Sequence, residues 1–284
     1  MRVLSFEQEF ERSNPGRVQI IRYMRDAIGV REVEWEHITR LNLIAVTEHI
    51  RNIVSANSAV TYLAVLKGFL AKYKDEGIIP CRELGTSLKT KREPQQNVAL
   101  TEDEVRKIEG YHNKLRFRNG HQTEKDVLTL FLLECFCGAR SCDIEALGPE
   151  NIQDGKLVYV SQKTHVLTAL PAHRRLADLL NIKPEKQYFT TTKNRIIKRV
   201  AEKCSINEPV TIFYHGQMQT RPKYEYLGTH SARRTFASVL AAKGVPVAEI
   251  SNFMGHTNTA MTERYIKVDS KCVSPAAMAF FGGE

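Results

Sequence analysis

The first part of the chain places apolar residues at the spacing of an α-helix. In "GRVQIIRYMRDAIG" (16–29), Val18, Ile21 and Met24 recur along one face and Gly29 closes the segment. "HITRLNLIAVTEHIRNIV" (37–54) accommodates one helix or two. "SANSAVTYLAVLKGFLAKYKDEG" (55–77) aligns Val60, Leu63, Leu66, Leu70 and Tyr73 on one face and stops at a glycine. The pattern then fades. "LGTSLKTKREPQQNVAL" (84–100) is polar, basic and contains Pro94, which predicts a linker. The expected division is an N-terminal helical domain, 1–95, and a second domain, 96–284.

The second domain opens at "LTEDEVRKIEG" (100–110), where Thr101 and Glu104 have the spacing of a capping box. "EKDVLTLFLLECF" (124–136) is apolar on most faces, the signature of a central buried helix. "GARSCDIEALGPENI" (138–152) breaks and restarts a short helix. "KLVYVSQKTHVLTALPAH" (156–173) is β-rich on both sides of Gln-Lys-Thr and predicts a hairpin with Lys163 at or near its tip. "TTTKNRIIKRVAEKCS" (190–205) reads as a basic helix. "YLGTHSARRTFASVLAAKG" (226–244) reads as a helix that Thr229 can cap, and "PVAEISNFMG" (246–255) as a short one with proline at its start. The fold expected is mainly α, a helical bundle followed by an α-rich domain with a small antiparallel sheet.

Charge adds a partner class. The net charge is +9, with 41 Lys and Arg against 32 Asp and Glu. Residues 183–234 alone contribute +7, from 11 basic and 4 acidic residues. Such a basic stretch suits a polyanion, whose condensed counterions are released on binding. Candidate DNA contacts are Lys89, Lys91 and Arg92 in the linker, and Lys193, Arg195, Lys198, Arg199 and Arg234 in the basic stretch. The six cysteines form no CxxC pair and no Cys/His zinc spacing, so no metal site is expected and a reducing compartment, the cytoplasm, fits best. The start lacks the apolar core of a signal peptide, and the longest apolar run, 127–139, contains Glu134 and is too short to span a bilayer. No membrane partner is expected.

The chemistry-bearing residues come in order: Arg140 after a Gly break, Lys163 on a hairpin, "HSARR" (230–234), then "GHTNTAMTERYIKV" (255–268). This order and spacing resemble the tyrosine recombinases, the lambda-integrase-like family, in its compact Cre/Xer-like form. The resemblance in motifs covers residues 100–268; the N-terminal region resembles the family's core-binding domain in length and composition only. It implies Tyr265 as nucleophile, Arg140, Lys163, His230, Arg233 and His256 as the other catalytic residues, and Asp143 as the acid that braces Arg140. Lys156, on the same hairpin, stays open as the alternative lysine.

The physics fits that assignment. A phosphodiester repels nucleophiles, and its transition state gathers charge on the nonbridging oxygens. Two guanidiniums can clamp those oxygens. A phenol with a reference pKa near ~10 needs a cationic surrounding and a proton acceptor before it attacks. The resemblance further implies a covalent 3′-phosphotyrosyl intermediate without metal, ATP or other cofactor. It implies paired sites on double-stranded DNA, a monomer or weak oligomer that becomes a homotetramer on DNA, and a Holliday junction. Accessory DNA-bending proteins stay open. The resemblance also implies that the apolar tail "VSPAAMAFFGGE" (273–284) docks on a neighbouring protomer, while packing on its own domain stays open. The rival readings are a type IB topoisomerase, a DNA-binding protein that does not cut, and a protelomerase-like hairpin former.

Overall fold

The computed structural model describes residues 4–74, 77–93, 98–115, 121–214 and 217–266; the tail 273–284 lies outside them. The chain divides into two compact units, Met1–Gln95 with Ile212–Gln219, and Gln96–Thr211 with Thr220–Glu284.

The first unit contains α1 (Phe6–Ser13), α2 (Gln19–Ile28), α3 (Arg40–Ile53), α4 (Ala56–Lys74) and α5 (Leu84–Ser87). Ser5 caps α1 by accepting the Gln8 N–H, and Gly29 ends α2 in the left-handed conformation. Its core is rich in rings. Phe69 meets Phe6 and Phe10 edge to face, and Trp35 and Tyr73 pack against this cluster. The buried face of α4 is Ala59, Leu63, Leu66, Phe69 and Leu70, so Val60 and Tyr73 lie at its margins rather than on it. The presumed linker also begins later than expected. Leu84 and Leu88 are buried in this core, and Thr47 donates to the Ser87 carbonyl at 2.9 Å.

The second unit contains α6 (Glu102–Lys114), α7 (Gln122–Cys137), α8 (Ser141–Ala146), β1 (Ile152–Gln153), β2 (Lys156–Val160), β3 (Leu167–Pro171), α9 (Arg174–Asn181) and α10 (Thr190–Lys203). Between α10 and the next helix lie β4 (Pro209–Tyr214) and β5 (Gln217–Pro222), of which Ile212–Gln219 groups with the first unit; α11 (Thr229–Ala242), α12 (Val247–Phe253) and α13 (Thr259–Glu263) complete the second. Helix α7 is buried on nearly every face and packs against α6, α9, α10 and α11, as its unbroken apolar run demands. Cys135 and Cys137 are buried within it as small apolar groups. The Thr101–Glu104 capping box forms at the start of α6.

Strands β1, β2 and β3 form an antiparallel sheet in which Tyr159 faces Thr168 and Val160 faces Leu167. Lys163 sits in the turn between β2 and β3. The β4–β5 pair is a second sheet that the hydrophobic pattern does not announce, because β5 is nearly all polar and exposed. Among the described residues, no helix is long and apolar enough to cross a membrane.

Candidate active site

Three segments of the second unit converge: the break after α7, the β2–β3 turn, and α11 with the segment that follows α12. Helix α7 ends at Gly138, whose φ of +65° suits glycine. A Cβ there would also run into the Phe236 ring, so the close approach of α11 to this turn requires a residue without a side chain. Arg140 is the N-cap residue of α8, with an extended backbone and no capping bond from its side chain. Arg140 Nη1 donates to Ser161 Oγ at 2.7 Å, and Ser161 Oγ donates to Asp143 Oδ2 at 3.1 Å. The direct Arg140–Asp143 separation is 4.0 Å. Asp143 therefore braces Arg140 chiefly through Ser161, while its other oxygen accepts the Gln162 N–H at 2.8 Å. Ser161 escaped the sequence reading. The signal was available, since Leu157 and Tyr159 are buried on β2 and alternation carries residue 161 to the same face.

Helix α11 carries His230, Arg233 and Arg234. Thr229 is its first residue, not its cap. Gly228 takes the cap position, and the Thr229 N–H is received by Asn194 Oδ1 of α10 at 3.0 Å. Arg233 is 3% exposed, yet it forms no ion pair among the described residues. Its guanidinium donates to the Gly138 carbonyl, to the Met254 carbonyl at 2.6 Å and to His256 Nε2 at 2.7 Å. An arginine offers only N–H groups, so Nε2 accepts and the imidazole proton resides on Nδ1, which donates to Thr262 Oγ1 at 2.8 Å. Burial, reinforced by the charges of Arg233 and Arg140, pushes the His256 pKa down to about 3, so this ring is neutral at physiological pH.

Tyr265 lies in the turn after α13. Its N–H bonds the Thr262 carbonyl at 2.8 Å, and its own carbonyl accepts from Ser238 of α11 at 3.2 Å. The Arg233 guanidinium carbon sits 5.9 Å from the Tyr265 ring centre, and the His256 ring lies 5.4 Å from it at 39°. His230 is exposed at the start of α11. Desolvation, then the charges of Arg234, Arg233 and Lys163, lower its pKa from the ordinary histidine value. Lys163 is exposed, and Thr164 beside it donates to the Gly255 carbonyl at 3.0 Å, tying the hairpin turn to the segment that holds His256.

The family follows from sequence. Residues 90–271 match the phage integrase family. The chain belongs to that family, the tyrosine recombinases, enzymes that break and rejoin DNA strands. The recombinase is 28% identical over 246 residues to tyrosine recombinase XerC of Thermodesulfovibrio yellowstonii, covering 80% of this chain and 76% of that one. Its fold resembles a lambda integrase dimer bound to a COC′ core site, with TM-score 0.70, 16% identity, and coverage of 95% of this chain and 79% of that chain. It also resembles the XerH recombinase in a post-cleavage complex on difH, with TM-score 0.65, 12% identity, and coverage of 97% and 83%.

The expected DNA contacts of the recombinase divide by exposure. Lys89, Lys91 and Arg92 are exposed, as are Arg195 and Lys198 on α10. Lys193 is not: it is 6% exposed and paired with Glu145 of α8 at 3.1 Å, so it supports the element behind Arg140. Arg199 is exposed and also pairs with the buried Glu124. Helix α10 thus turns the flank with Lys193 toward α8 and leaves Arg195, Lys198 and Arg199 exposed. Arg234 is half-buried beside Tyr265, and its Nε has no protein partner among the described residues. Among the described residues no His, Cys, Asp or Glu cluster could hold a metal ion.

Proposed function

We propose that the protein is a site-specific recombinase in which Tyr265 cleaves one DNA strand and forms a 3′-phosphotyrosyl bond. The observation that carries this reading is Arg233, a buried guanidinium held by two carbonyls and a neutral imidazole, beside the Tyr265 ring. A buried cation with neutral acceptors is costly, and an anionic phosphate between Arg233 and Arg140 offsets that cost.

In the proposed step the Tyr265 oxygen bonds to phosphorus and the bond from phosphorus to the 5′-oxygen breaks. His230, held toward its neutral form by partial desolvation and by the charges of Arg234, Arg233 and Lys163, accepts the phenolic proton. Lys163, on its exposed turn, protonates the leaving 5′-oxygen. Arg140 and Arg233 neutralise the charge on the nonbridging oxygens. The phosphotyrosyl bond retains the energy of the broken one, so a 5′-hydroxyl from a second strand reverses the step without ATP.

Two such exchanges between paired duplex sites pass through a Holliday junction and need four protomers. A lambda integrase of the same fold is known as a tetramer bound to a Holliday junction, which supports this assembly. The N-terminal helical unit, with Lys89, Lys91 and Arg92 exposed at its end, serves as a second DNA-contacting domain.

The test is covalent trapping with nicked duplexes drawn from the DNA that flanks the gene, in EDTA. Wild type should form an adduct that survives denaturation, and Tyr265→Phe should not. Mapped cuts at paired, inverted half-sites separate a recombinase from a topoisomerase. No adduct on a duplex that the protein binds would leave a DNA-binding protein that does not cut.

A further inference from the structure

Behind the two arginines lies a buried acid that the chemistry above does not use. The Glu134 side chain on α7 is 3% exposed, and its Oε1 accepts the Ser141 hydroxyl at 2.5 Å. Its backbone carbonyl accepts the Gly138 N–H at 2.9 Å. One residue thus grips both ends of the turn 138–141. That turn presents Arg140 at one end and the Gly138 carbonyl, an acceptor for Arg233, at the other.

We propose that Glu134, acting through Ser141, is a positioning residue that sets the spacing of the Arg140 and Arg233 guanidiniums. The inference rests on the reading of those arginines as a phosphate clamp.

The surroundings favour a neutral carboxyl. Lys193 from α10 and Arg233 from α11 face it, but Lys193 is committed to Glu145 of α8, and Arg233 to two carbonyls and His256. Glu145 adds a like charge, and the neighbouring Cys135 and Cys137 thiols are buried beside it on α7. Burial dominates and pushes the Glu134 pKa up to about 8. Below that pH a protonated carboxyl bonds Ser141. Above it, a carboxylate competes with the Gly138 carbonyl for Arg233 and draws on Lys193, which disturbs the turn.

The experiment uses the full chain and a nicked substrate on which wild type forms the adduct. Single-turnover cleavage rates and duplex affinity are measured from pH 6.5 to 9.5 for wild type, Glu134→Gln, Ser141→Ala and Ser141→Thr. Glu134→Gln keeps a neutral partner for Ser141. Its rate should stay within about twofold of wild type near pH 7, and its ratio to wild type should rise as pH passes about 8. Ser141→Ala should cleave about tenfold more slowly with unchanged affinity, and Ser141→Thr should recover most of the rate. If Ser141→Ala does not fold, the Glu134→Gln profile decides. Superimposable pH profiles for wild type and Glu134→Gln, or a wild-type rate in folded Ser141→Ala, overturn the inference. A wild type that binds every duplex and cleaves none overturns the parent reading, and this inference with it.

Discussion

Arg233 donates to His256 Nε2 at 2.7 Å, and His256 in turn donates to Thr262, the residue whose carbonyl receives the Tyr265 N–H. A hydrogen-bonded chain therefore runs from a buried guanidinium through a neutral imidazole to the turn that carries the tyrosine. His256 fixes Arg233 from one side while Gly138 and Met254 fix it from the others.

This chain gives stability a pH dependence. An unfolded histidine binds its proton near the ordinary value of 6.5, whereas folded His256 does so only near about 3. Between those values the unfolded chain holds a proton that the folded one excludes. The contribution is complete above pH 6.5 and is lost as pH falls toward 3. His256→Gln, which does not titrate, should show a shallower loss of melting temperature between pH 6.5 and 4 than wild type. Equal slopes would remove His256 from this account.

The Ser161 relay is testable apart from the arginine itself. Ser161→Ala removes the acceptor of Arg140 Nη1 and leaves the guanidinium free to close on Asp143. In the proposed reaction that withdraws it from the phosphate. Single-turnover cleavage should fall by roughly 10- to 100-fold, with duplex affinity changed less than about threefold. Equal losses in cleavage and affinity would show that Ser161 serves binding instead.

Helix α10 carries basic residues with two different fates. Arg195→Ala and Lys198→Ala should each weaken DNA binding and lower the salt dependence of the binding constant by about one unit of slope. Lys193→Met should leave that slope unchanged and lower the melting temperature, because its ammonium is buried against Glu145. Titrations at several salt concentrations, with a thermal melt of each variant, separate the two outcomes.

Gly138 is required for two reasons that add. Its φ of +65° strains any other residue, and a Cβ would collide with Phe236. Gly138→Ala should destabilise the protein by about 2–4 kcal/mol. Adding Phe236→Leu should recover part of that loss by removing the collision but not the strain. Denaturant unfolding of both variants checks this. A single variant as stable as wild type would mean that α11 moves away without cost.

Much of the fold was legible along the chain. Helical spacing marked α2 and α4, an unbroken apolar run marked α7 as central, and β-rich runs on both sides of Gln-Lys-Thr marked the β2–β3 hairpin with Lys163 in its turn. The order Arg, Lys, His-x-x-Arg, Gly-His, Tyr pointed to the family. These are local signals, set by the backbone's own period and by chemistry carried in consecutive residues. Tertiary structure alone decided what the partners are. It placed Asn194, 35 residues before Thr229, over the end of α11, put Ser161 between Arg140 and Asp143, and buried Lys193 while leaving Lys198 in solvent. It also enclosed Glu134 beside Ser141. The charge of a lysine or a glutamate is written in the chain, but its surroundings are not. Solvation and hydrogen-bond partners depend on which distant elements pack against the residue, and they decide whether a charge meets DNA, supports a helix or is neutralised by a proton.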